Sequence, residues 1–156
     1  MKRCRGFTLV ELIAVMIVIG ILAVVALPRL DLAGEFRATA FRDRVAASLR
    51  FAQKSAVAHR RLVCANVTAG SLTLTVATAF GDAACPNALL GPDGANPAAV
   101  SPSAAVVLAA APAGPLYFQP SGAVTSDAAG TVPATFTITV TGQAAMTVNG
   151  ATGYVD

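Results

Sequence analysis

The chain has 156 residues, room for one modest domain plus an appendage, and it is 55% hydrophobic, 12% charged and without Trp. Ordinary domains carry roughly a quarter charged residues, so an apolar excess has to be placed somewhere. The net charge of +3 is also uneven: Lys2, Arg3 and Arg5 precede a long apolar run, every other Lys or Arg lies within residues 29–61, and none follows Arg61. Past that point the only charges are Asp82, Asp93, Asp127 and Asp156. This disfavours a polyanion-binding C-terminal domain, because phosphate neutralisation needs cations there.

Residues 1–6 form a short positive leader ending at Gly6, and residues 7–27 are apolar, with Glu11 as their one charge. As a helix this run would be roughly 30 Å long, one hydrocarbon thickness. Lys2, Arg3 and Arg5 outweigh Arg29 at the far end, so the positive-inside rule keeps the N-terminus cytoplasmic and puts the remainder outside. A secretory signal fits less well, since its cleavage site follows the apolar region; the small residues 23–26 could imitate one. An uncleaved single-pass anchor is a further alternative.

Pro28 comes next. It lacks an N–H and clashes with the preceding turn, so a helix through it should kink or loosen. Within the amphipathic half, residues 29–61, the spacing is helical over 35–61: Phe41, Val45, Leu49, Ala52 and Ala56 share one face, and Arg37, Arg44, Lys54 and Arg61 lie largely off it. The first helical half, residues 7–28, is apolar all round and suits lipid or other helices; the second is amphipathic and suits a sheet.

The period then changes to two. Residues 62–67 and 71–80 read as a hairpin around Ala69 and Gly70, with Leu72, Leu74 and Val76 alternating against Thr73 and Thr75. Residues 81–102 hold four prolines and the turn sequence Gly91, Pro92, Asp93, Gly94, and read as a loop. Strands follow at 104–110, 115–119, 135–141 and 145–149, with an edge strand at Tyr154 and Val155. The expected fold is α+β: a long N-terminal helix, transmembrane then amphipathic, packed on an antiparallel sheet of roughly five to seven strands. Residues 62–156 form the β-rich domain.

With the leader gone Cys4 is lost, and Cys64 and Cys85 remain. An even number in an exported domain favours a disulfide, which would fasten the long loop to the first strand. Two free buried thiols is the alternative.

Catalytic chemistry is sparse. His59 is the single histidine and sits at a helix end, where solvation or helix-terminus stabilisation accounts for it. There is no zinc spacing and no P-loop, and Ser55, Ser71 and Ser121 lack a partner constellation. The expectation is a non-enzyme without cofactor or metal.

The run Gly6, Phe7, Thr8, Leu9, Val10, Glu11 and the apolar segment after it closely resemble the N-terminal motif of type IV pilins and type II secretion pseudopilins. Pro28 falls where major pilins often carry proline. Residues 49–57, then Val63 and Cys64, resemble the helix end and first strand of GspH/FimT-type minor pseudopilins, as do the closing strands and glycine of residues 136–153. Residues 26–29 and the cysteine placement also resemble minor pilins of MSHA-type pilus systems.

The resemblance implies that a prepilin peptidase cuts between Gly6 and Phe7 and methylates the new amine of Phe7. It implies that Glu11 pairs with the terminal amine of a neighbouring subunit. The partners it implies are other pilin or pseudopilin subunits, the inner-membrane assembly platform and membrane lipid. The location it implies is the inner membrane, with a periplasmic C-terminal domain, and then the assembled fibre. The physics agrees: a carboxylate at the centre of a membrane helix costs roughly 2.5–3.5 kcal/mol, less near an interface, and in a packed bundle it needs a cation. The apolar run has no Lys or Arg, whereas cleavage creates an amine at Phe7. The alternative function is DNA capture by a minor pilin, through the basic residues 37–61 with Arg60 and Arg61 at the tip.

Overall fold

The structure, a computed structural model, describes residues 8–26 and 28–156, and side chains 24–33 lie outside that description. The chain divides into two compact units, Met1–Phe36 and Arg37–Asp156. Helix α1 spans Leu9–Ala26 and helix α2 spans Pro28–His59. The kink expected at Pro28 turns on Leu27, which lies outside the described residues.

In the second unit, α2 buries the face that its spacing marks: Phe41, Val45, Leu49, Ala52 and Ala56, with Ala38 before them and Ser48 beside them. Ser48 survives there because its hydroxyl donates to the Arg44 carbonyl, 2.8 Å away, one turn back. The helix ends in a Schellman motif. The Arg61 N–H reaches the Ala56 carbonyl at 3.2 Å and the Arg60 N–H reaches the Val57 carbonyl at 3.4 Å.

Among the described residues nine strands follow: β1 (Val63–Val67), β2 (Ser71–Val76), β3 (Asn87–Ala88), β4 (Ala99–Val100), β5 (Leu108–Ala111), β6 (Leu116–Phe118), β7 (Val124–Thr125), β8 (Phe136–Val140) and β9 (Met146–Val148). All pair antiparallel. One sheet has six strands in the order β3-β2-β1-β6-β7, with β4 also on β2; the other has three in the order β5-β8-β9. A single core joins the α2 face to Leu72, Leu74, Leu116 and Phe118 of the first sheet and to Phe136, Ile138, Met146 and Val148 of the second.

The α+β architecture stands, but two sheets replace the one expected. β5 does not join the first hairpin; it pairs with β8, Leu108 opposite Val140 and Ala111 opposite Thr137. The strand expected over residues 71–80 stops at Val76 because the Asp82 carboxylate accepts the Ala79 N–H at 2.8 Å and closes a turn. The strand expected over 104–110 starts only at Leu108, after a turn in which the Val106 N–H meets the Ser103 carbonyl at 3.1 Å. The loop over 81–102 contributes the two short strands β3 and β4, and Val155 makes one bridge to Val148.

Candidate assembly site

Thr8 caps α1. Its Oγ1 accepts the Glu11 N–H at 3.3 Å, and its carbonyl accepts the Leu12 N–H at 3.2 Å. Thr8 and Glu11 thus have capping-box spacing, a hydroxyl residue followed three positions later by Glu. The carboxylate stands in the first turn, where the helix dipole favours an anion. This cap went unread in the sequence, although the Thr-x-x-Glu spacing was its signal.

Every large apolar side chain described on α1 is exposed, from Leu9 at 73% to Leu22 at 61%, and Ala14, Val15, Val18 and Ile19 continue the face that carries Glu11. An apolar surface of this extent needs covering by lipid or by other helices. Among the described residues no cation pairs with Glu11. Also among them, no helix is long and apolar enough to cross a membrane; the ends of the apolar run, Phe7 and Leu27, lie outside them, as do Gly6 and the cleavage expected after it.

The remaining residues singled out in the sequence are dispersed. Cys64 and Cys85 are joined in a disulfide with Cα atoms 6.1 Å apart, which ties β1 to the loop preceding β3. The basic residues of α2 are partly engaged by the β-domain itself. Arg42 Nε donates to the Ala144 carbonyl at 2.9 Å, Arg50 Nε donates to the Val155 carbonyl at 3.1 Å, and Arg44 pairs with Asp93. His59, Arg60 and Arg61 are exposed at the end of α2. No cluster that could hold a metal ion occurs among the described residues.

Asp127 has a clearly shifted pKa. The Thr131 N–H, 3.0 Å from its carboxylate, holds its pKa below the ordinary value, and the Val132 N–H at 2.9 Å adds to the effect. The group closes the loop before β8 and has no part in the α1 site.

An exposed apolar helix with one acid at its start, followed by an amphipathic helix packed on antiparallel sheets, defines a pilin-like subunit. The sequence matches the prokaryotic N-terminal methylation motif over residues 1–27 and the family Type II transport protein GspH over residues 42–153. The chain belongs to the GspH family, within the minor pilins and pseudopilins. No curated protein matches it significantly. Among solved structures it is similar to two crystal forms of the Pseudomonas aeruginosa type IV minor pilin FimU. One has 18% identity over 78% of this chain and 85% of that one, with a TM-score of 0.48. The other has 16% identity over 78% and 90%, with a TM-score of 0.47.

Proposed function

We propose that this protein is a minor pseudopilin that serves as a structural and assembly subunit, not an enzyme, of a type II secretion pseudopilus or a type IV pilus. A prepilin peptidase cuts after Gly6 and methylates Phe7. The apolar run then holds the subunit in the inner membrane, N-terminus inside and β-domain in the periplasm, until the assembly platform passes it into the fibre. The observation that carries this reading is the single carboxylate of Glu11 on an otherwise apolar, exposed helix that lies within the match to the N-terminal methylation motif.

In the fibre Glu11 binds the terminal amine of a neighbour's Phe7. Until that amine arrives the carboxylate lies among apolar groups without a cation, which sets the register of addition. Pro28 loosens the helix where the apolar half ends, so the outer half can follow the β-domain.

Two measurements test this. Mass spectrometry of protein from the native membrane is expected to find a chain starting at Phe7 with one methyl group, and a chain starting at Met1 beside an active peptidase would refute the processing. Glu11→Val is expected to leave the protein in the membrane but keep it out of the fibre; unchanged incorporation beside wild type would refute the role of the carboxylate. DNA capture gains no support from Arg42, Arg44 and Arg50, which are held by the β-domain, and a gel-shift assay is expected to show no salt-sensitive binding.

A further inference from the structure

A cleft of about 500 Å³ lies in the second unit between three turns, residues 80–83, 119–121 and 128–130, with the buried Leu62 in its lining. That volume is in the range of small-molecule sites. Each turn is held from within. In the first, Asp82 Oδ2 accepts the Ala79 N–H at 2.8 Å, and the disulfide at Cys85 ties down the chain that follows. In the second, the Gln119 N–H meets the Ala123 carbonyl and the Gly122 N–H meets the Gln119 carbonyl, both at 2.9 Å. The third is closed by Asp127, whose carboxylate accepts the Thr131 and Val132 N–H groups at 3.0 and 2.9 Å. The walls are set before any ligand arrives, which lowers the ordering cost of binding.

What the walls leave unpaired selects the ligand. The Asp82, Gly122 and Gly130 N–H groups are spent on the carbonyls of Ala79, Gln119 and Asp127. Gln119 Nε2 donates to Thr125 Oγ1 at 2.9 Å and to the Ala128 carbonyl at 3.4 Å, which leaves Oε1 as the free end of the amide. Asp82 uses one carboxylate oxygen on its own turn, and Oδ1 has no partner among the described residues. Two acceptors therefore remain beside Phe80, whose side chain is 75% exposed, and Ser121 brings a hydroxyl. No Lys, Arg or His lines the cleft, so an anion finds a carboxylate and no cation. An added peptide strand would need a sheet edge, and every lining residue lies outside the strands. The fitting ligand is uncharged, with an apolar face for the ring and hydroxyl donors around its edge.

We infer that this cleft binds a neutral oligosaccharide of β-linked glucopyranose type. The substituents of such a sugar ring are equatorial, so its faces are C–H surface and its hydroxyls lie at the rim. One face stacks on Phe80 while hydroxyls donate to Asp82 Oδ1 and Gln119 Oε1, a charge-assisted bond in the first case. This goes beyond the role of an assembly subunit and does not depend on Glu11.

The test is calorimetric titration of the full-length chain, in a detergent without sugar groups, with cellotetraose and with tetra-N-acetylchitotetraose. Binding of either at millimolar concentration is expected, and the pair tells plain from N-acetylated sugars. Tetragalacturonate, the same size but anionic, is expected not to bind. Phe80→Ala is expected to weaken binding about tenfold, the loss of a typical anchor, and Phe80→Tyr to keep it. Asp82→Asn is also expected to weaken it about tenfold, since the Asn carbonyl can still hold the Ala79 N–H while the free acceptor is lost. Unchanged thermal melts of the variants show that the turns persist. The inference is overturned if neither neutral sugar binds, if binding ignores both Phe80→Ala and Asp82→Asn, or if the anionic sugar binds equally well. It is also overturned if tetralysine binds and neither sugar does, which would make the cleft a docking site for a basic protein segment.

Discussion

Arg60 occupies a place where helices usually put glycine. Its φ is 52°, in the left-handed region, at the residue after the α2 C-cap. A side chain there costs about 1 kcal/mol over glycine, so Arg60→Gly is expected to raise stability by roughly 0.5–1 kcal/mol, read as a higher urea midpoint at unchanged slope. Gly153 is the reverse case. It has φ 66°, and a Cβ there would meet the Gly122 carbonyl and the Gln53 side chain, whose Nε2 also donates to the Thr152 carbonyl at 2.8 Å. Strain and overlap add, and Gly153→Ala is expected to lower stability by about 2–3 kcal/mol in the same assay. Asp127 supplies a pH dependence. Its folded pKa lies below the ordinary value of 3.8, so the stabilisation it gives is complete above that value and is lost as pH falls through the folded one. The Thr131 and Val132 amide resonances are expected to shift only in that acid range, and Asp127→Asn is expected to remove the titration.

The elements with a strong period were the ones legible in the sequence. Phe41, Val45, Leu49, Ala52 and Ala56 gave the buried face of α2 outright, and Phe136, Ile138 and Val140 alternate with exposed threonines in β8. β7 was missed because Val124 and Thr125 are too short for any period. The Glu11 half of the site was readable because one charge stands out in an apolar run; the Thr8 cap was signalled only by its Thr-x-x-Glu spacing, which gains meaning once the helix is known to start there. The disulfide acts at this scale too. It closes a segment of sequence separation 21, and loop-closure entropy for that length is worth about 3 kcal/mol. Replacing Cys64 and Cys85 together by Ser is expected to lower stability by about that amount. Faster amide exchange in β3 and the Phe80 turn is expected before β8 or β9 is affected.

At the scale of the molecule the division into two sheets was not legible, because it rests on a distant pairing. The Thr141 N–H meets the Val107 carbonyl at 3.0 Å and β5 lines up on β8, contacts that no local window contains. The same geometry shows where stability lies. Among the described residues every buried hydrophobic belongs to Ala38 or later, whereas the large apolar side chains of α1 are exposed. Among the described residues the hydrophobic core is built from Ala38 onward. Residues 37–156 expressed alone are expected to unfold in one cooperative thermal transition, followed by circular dichroism, with the disulfide formed. A broad, non-cooperative melt would show that residues 37–156 do not carry the fold by themselves, and a cooperative one that their own core suffices.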